Sequence, residues 1–181
     1  MTRISQIHTA AAKPASQTLL AQIHQAFGAT PNMFKTVAHS PAALKSMWGS
    51  FGALGGGVID AKLAEQIAVA VANRNSCEYC LAAHTALGRK AGVSAQDMAA
   101  AQMGESSDPR TAAALRFALK LVNDRGQVKD SDVQALRDVG FDDEHIVEIL
   151  AHVALNLFTN YVNVAFAVPV DFPAVKLHRQ G

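Results

Sequence analysis

The chain has 181 residues, half of them hydrophobic, with 16 Lys or Arg against 15 Asp or Glu and a formal net charge of +1. Such a length suits one domain with a sizeable core, and a near-zero charge with no run of one sign gives no electrostatic footprint for nucleic acid. Only 6% of the residues are aromatic, and many of the apolar ones are Ala, which favours close-packed helices over a sheet.

In chain order, the stretch from Met1 to Gln17 has no long apolar run and does not read as a secretory signal. Leu19, Leu20, Ile23 and Phe27 recur at helical spacing after Pro14, and Gly28 closes that element. Pro31 and Pro41 open two further short helices, the second carrying Leu44, Met47, Trp48, Phe51 and Leu54. Gly55-Gly56-Gly57 is a break, after which Asp60 caps a helix running to about Asn73, with Leu63, Ile67, Ala70 and Val71 on its apolar side. Asn73-Arg74-Asn75-Ser76 reads as a turn, with Ser76 as the N-cap of a helix that runs to about Ala91 before Gly92.

Further on, Ser94 caps a short helix, Asp108-Pro109 starts a longer one to about Asp124, and Ser131 to Val139 is short again. Asp142 begins the last helix, reaching about Val168. The stretch Ile149 to Val170 has no Asp, Glu, Lys or Arg and is long enough to span a bilayer. It also carries His152, Asn156, Thr159, Asn160 and Asn163, which would be costly facing lipid, so a helix buried in a bundle or a subunit interface is expected and no membrane partner. The expectation is an all-α single domain over residues 1–181, with its motif core at about 60–100 and an irregular tail at 171–181.

The only two cysteines, Cys77 and Cys80, stand three apart, with His84 four residues later and Glu65 twelve residues before Cys77. Offsets of zero, three and seven on a helix bring Cys77, Cys80 and His84 onto one face within about 60°. At a helix start, unpaired N–H groups and the positive end of the dipole stabilise a thiolate. The partner thiol can then resolve a sulfenic acid or a mixed disulfide. If the two flanking helices form an antiparallel pair, Glu65 lies about eight residues, or about 12 Å, before the turn and His84 about as far after it. A carboxylate there orients the imidazole and raises its basicity, giving a Glu–His–Cys proton relay.

The same residues speak against other chemistries of the pair. Haem attachment requires His directly after the second Cys, and Leu81 stands there. A structural zinc site normally has two ligand pairs, whereas Cys77, Cys80 and His84 would have only Glu65 as a less usual fourth ligand. A purely structural disulfide closing so small a loop is a poor staple, and a reducing, cytoplasmic compartment fits such a pair better.

The segment EQIAVAVANRNSCEYCLAAHTALGRKAG, with Glu65, Cys77-x-Tyr79-Cys80 and His84 at these spacings, resembles the alkylhydroperoxidase D-like branch of the carboxymuconolactone decarboxylase superfamily, and in overall shape its peroxidase-related subgroup. The resemblance is tight from about Asp60 to Ala100 and looser over about 20–170. It implies an AhpD-like helical bundle with the CxxC-bearing hairpin at its centre, assembled as a homo-oligomer, commonly a trimer or hexamer. It also implies a peroxidase without metal, haem or other cofactor, acting on a small peroxide and reset by a dithiol reductant or reductase partner. Carried over by position, Cys80 is the peroxidatic thiol, Cys77 the resolving one, and Glu65 and His84 the proton relay. The alternative within the superfamily is a decarboxylase, an isomerase or a thiol-disulfide oxidoreductase. True decarboxylases need not carry the cysteine pair.

Between the cysteines, where well-characterised members often have His, this chain has Tyr79. At about 200° from Cys77 on a regular helix it is expected to point off the reactive face. Tyr79, His152, Asn156 and Asn160 are nonetheless the candidates for a substrate-pocket wall. The last three belong to a polar stripe, continued by Asn163, that would otherwise pair internally between helices or subunits. Trp48, Phe51, Phe158 and Tyr161 read as core or interface.

Overall fold

A computed structural model of the chain describes residues 2–178, and among these it has no strand. After a single 3-10 turn at Thr9–Ala11 come α1 (Pro14–Phe27), α2 (Asn32–Val37), α3 (Pro41–Leu54), α4 (Ala61–Arg74) and α5 (Glu78–Lys90). They are followed by α6 (Ala95–Gln102), α7 (Pro109–Asn123), α8 (Asp130–Arg137) and α9 (Asp143–Phe166). The fold is all-α. Asp60, Ser94, Asp108 and Asp142 cap their helices through side-chain oxygens that accept first-turn N–H groups.

At the centre lies α4, packed against α5, α6, α7 and α9. From Gln66 to Asn73 every residue is buried, and the run IAVAVA places small and branched side chains alternately around the helix. An element apolar on all sides must be enclosed, and its alanines let four neighbours approach closely. Among the described residues one helix, α9, is long and apolar enough to cross a membrane. Here its polar stripe faces inward: His152, Asn156, Thr159, Asn160 and Asn163 are all buried, while Val147, Leu150 and Tyr161 are exposed.

The α4–α5 turn departs from its sequence reading. Ser76 is not the N-cap of α5. It holds the left-handed backbone (φ 54°) that ends α4, and Cys77 is the capping residue, its sulfur accepting the N–H of Cys80 at 3.2 Å. The Cys77 N–H returns to the Ala72 carbonyl at 2.9 Å and the Ser76 N–H to that of Asn73 at 3.1 Å. This pair of bonds is a Schellman motif with Ser where Gly is usual. One helix therefore stops and the next begins with no spare residue between them.

At its far end, α9 stops at Phe166 rather than Val168, because Ala167 adopts φ 50° and the Val168 N–H turns back to Asn163. The tail that follows is irregular, and it is held down rather than frayed. Asp171 Oδ2 accepts the Asn32 N–H at 2.8 Å. Buried Asn73 grips His178 twice, donating to its carbonyl at 3.1 Å and accepting its N–H at 2.9 Å. Gln102 Nε2 donates both to Asn73 Oδ1, at 3.0 Å, and to the Lys176 carbonyl, at 2.9 Å. The last positions of the expected tail, 179–181, lie outside the described residues.

Two stability measurements test these points. Ser76→Gly removes the Cβ penalty of the left-handed position, so it is expected to stabilise the protein by about 1 kcal/mol, raising Tm by about 2–4 °C. Asn73→Ala leaves the N–H and the carbonyl of His178 unmet, and tryptic cleavage after Lys176 should become markedly faster than in the wild type. Equal cleavage rates would mean that the tail is held by something else.

Candidate functional site

Because α4 and α5 are joined by so tight a turn, they run back along each other as an antiparallel pair. Gly88, one turn beyond His84, allows the close approach: a Cβ there would lie 3.2 Å from Glu65 Cβ and would run into Met98. At this level the carboxylate and the imidazole meet, with His84 Nδ1 2.7 Å from Glu65 Oε2. Both side chains are largely buried. A carboxylate only accepts, so Nδ1 carries the proton of this contact and Nε2 is left for exchange with another group.

Cys77 and Cys80 form a disulfide with their Cα atoms 5.3 Å apart, and they are only 1% and 2% exposed. Each sulfur has one N–H donor. The Cys80 backbone N–H serves Cys77, and Asn163 Nδ2 on α9 serves Cys80 at 3.2 Å. The same Nδ2 donates to the Thr159 carbonyl at 2.9 Å. A backbone carbonyl can only accept, so this second bond fixes which end of the amide faces the sulfur.

Cys80, His84, Thr159 and Asn163 line a cavity of about 40 Å³, whose remaining walls are apolar and include Phe34 and Phe172. Tyr79 lines it too, so the expectation that it points away is corrected. Cys77 is the extended capping residue (φ −91°, ψ 91°), and the regular helical angle cannot be counted from it. The phenol oxygen accepts the Met33 N–H at 3.3 Å, and its ring meets Phe172 edge-on. Burial pushes its pKa well above the ordinary tyrosine range, with the Met33 N–H opposing, so this hydroxyl stays protonated.

The other candidates lie elsewhere. His152 and Asn156 are on the wall of a second cavity, of about 170 Å³, on the Glu65 side of His84. His84, Thr159 and Phe51 line both cavities. Asn160 lines neither of them. It is fully buried, and its Oδ1 accepts from Asn75 Nδ2 at 2.9 Å, so it braces the α4–α5 turn instead of a pocket. Burial also lowers the pKa of His152, against the pull of Glu148 and Glu65, and keeps its imidazole neutral. Among the described residues no cluster of three or more His, Cys, Asp or Glu side chains is arranged to hold a metal ion.

Sequence reasoning left Asn163 out of the pocket, although it continues the polar stripe at the right spacing. Phe51 was read as core and is a wall of both cavities. Phe172 had no signal at all, since its position depends on the path of the tail.

Comparison with known proteins supports the reading of the motif. The carboxymuconolactone decarboxylase family model matches residues 41–124, which spans α3 to α7 and so contains Glu65, both cysteines and His84. No curated protein matches the chain by sequence. Among solved structures, a peroxidase-related protein from Ralstonia eutropha JMP134 with an alkylhydroperoxidase AhpD core is 27% identical, with 94% of this chain and 92% of that one covered and a TM-score of 0.85. A peroxidase-related protein from Silicibacter sp. TM1040 is 26% identical over 93% and 91% of the two chains, at a TM-score of 0.80. A cysteine-to-alanine form of the debrominase Bmp8, solved with 2,3,4-tribromopyrrole, shares the fold at 21% identity, covering 94% and 92%, with a TM-score of 0.79. The motif lies inside the segment that matches the carboxymuconolactone decarboxylase family model, and 94% of the chain superposes on a protein with an AhpD core, so both findings support placing the chain in the AhpD-like branch of that superfamily.

Proposed function

We propose that this protein is a cysteine-based peroxidase that reduces hydrogen peroxide or small organic hydroperoxides through the Cys77–Cys80 pair. One observation carries the reading: Cys80 and His84 line the same cavity of about 40 Å³, and His84 is held from behind by Glu65. That volume exceeds the roughly 10–15 Å³ that one water needs, so a peroxide group fits beside the sulfur.

In the reduced protein the Cys80 thiolate attacks one peroxide oxygen. An S–O bond forms, the O–O bond breaks, and the leaving alkoxide or hydroxide takes a proton from His84. The resulting sulfenic acid is attacked by the Cys77 sulfur, which closes the disulfide and releases water. Two electrons have then passed from the sulfurs to the peroxide. A dithiol donor restores them by exchange, and because both sulfurs are buried this requires local opening. The sulfurs supply the electrons, so the cycle uses no cofactor, and it suits a reducing cytoplasm. The apolar face of α9 (Val147, Leu150, Phe158, Tyr161 and Val164) is assigned to contact with a second copy in a homo-oligomer, since an exposed apolar stripe of this kind is normally covered.

A second reading rests on the other cavity. Glu65 and His84 also line a space that contains neither cysteine, where the pair could act as acid and base on a small organic substrate, as in a decarboxylase or isomerase.

The decisive experiment adds one equivalent of hydrogen peroxide to the reduced protein and follows the peptides by mass spectrometry. The expected product is the Cys77–Cys80 disulfide, and Cys80→Ser should abolish peroxide consumption while keeping the helical circular dichroism. Undiminished turnover in that variant would sink the peroxidase reading. A finer test concerns Asn163. Asn163→Leu removes a hydrogen bond to the thiolate, and the Cys80 pKa, read from the pH dependence of alkylation, should rise by about one unit. Asn163→Asp should raise it further, by like charge.

A further inference from the structure

The cavity of about 170 Å³ on the far side of His84 is not needed by the cysteine chemistry, and neither Cys77 nor Cys80 touches it. It opens between α3, α4 and α9, with α5 contributing His84. Much of its wall is apolar, from Phe51, Leu54, Ile59 and Leu155, and small residues leave the space unfilled. A dry cavity of about 150 Å³ is enough to take up benzene.

Of the fully buried side-chain polar atoms on its wall, one lacks a partner. Glu65 and His84 hold each other, Asn156 Nδ2 donates to the His152 carbonyl at 2.9 Å, and Thr159 Oγ1 donates to the Asn156 carbonyl at 3.1 Å. His152 is 8% exposed, and its Nε2 has no partner. A buried ring nitrogen without a hydrogen bond is costly, and a group that supplies the bond is favoured at that spot.

We propose that this chamber is a second ligand site, for an uncharged molecule of about benzene size carrying one hydroxyl group, held through His152 Nε2. The apolar walls disfavour a charged guest, which would have to lose its water, and an anion would in addition meet Glu65 on the wall and the field of Glu148. A hydroxyl both donates and accepts, so it satisfies Nε2 in either tautomer of the neutral ring. An occupant lies against the His84 imidazole, on the side away from Cys80. The site does not depend on the peroxidase reading.

Phenol and benzene are the probes. Titrating the 15N-histidine-labelled protein with phenol should give saturable movement of the His152 Nε2 resonance, with a Kd of roughly 1 mM at the efficiency usual for a seven-atom ligand. Benzene should bind at least about tenfold more weakly, since it leaves Nε2 unmet. In His152→Leu the preference for phenol should vanish, and in Cys80→Ser phenol binding should be unchanged, which separates this site from the peroxide chemistry. Equal affinities for the two probes, an unmoved His152 resonance at saturating phenol, or a preference that survives in His152→Leu would each overturn the proposal. Should His152→Leu fail to fold, the wild-type resonance and the comparison of probes decide alone.

Discussion

The geometry of the site depends on the turn between α4 and α5. The Cys77 N–H bonded to Ala72 ends one helix, and the Cys77 sulfur caps the next, so the two helices share their boundary with no adjustable residue. This fixes the axial register of the hairpin. With the register fixed, Glu65 and His84 fall at the same level, and their 2.7 Å contact follows from chain length rather than from any adjustment of loops. A longer turn would shift α5 along α4 by about 1.5 Å for each helical residue of slip, enough to break a contact of that length. The left-handed Ser76 is the local cost of this economy, of the kind that persists where surrounding structure over-determines it.

A second constraint comes from α9, which brings five buried polar side chains against the hairpin. An unmet polar group in such an interior costs about 1–3 kcal/mol, and four of the five are bonded through at least one atom, His152 being the exception. Their partners divide the labour along the helix. Asn160 holds Asn75 in the turn, Asn163 holds the Cys80 sulfur, and Thr159 and Asn156 bond to carbonyls of α9 itself. The stripe that looked like a pocket wall is therefore partly a brace and partly a sulfur ligand. Only its N-terminal part, His152 and Asn156 with Thr159, reaches the larger cavity.

Much of this was legible in the sequence, because helical spacing and caps are local. The helices lie close to where Asp60, Asp108, Asp142 and the prolines put them, and the meeting of Glu65 with His84 needed only a residue count on either side of a turn. Ser76 was misread for a physical reason: Ser is a good cap, and nothing local says that the sulfur one residue later will do that work. Tyr79 was misplaced because helical angles were counted from a residue that is not helical. The direction of each asparagine on α9 depends on which neighbour lies across from it, which a period of 3.6 cannot supply. Phe172 stands against Tyr79 only because a tail without periodicity is tied down by Asn73 and Gln102.

His84 is where these constraints converge. With Nδ1 committed to Glu65, the ring cannot turn freely, and a single nitrogen remains for proton transfer. That ring separates a small cavity holding a sulfur from a larger one holding a neutral, unpartnered imidazole. Small volume and an apolar wall around Cys80 strengthen electrostatic interactions there, so the Asn163 amide acts on the sulfur with little screening by water. On the other face, any guest that hydrogen-bonds or displaces water near Glu65 alters the field on the same ring. A hairpin whose register is fixed by one turn therefore places His84 on the walls of two separate spaces, one that contains Cys80 and one that contains neither cysteine.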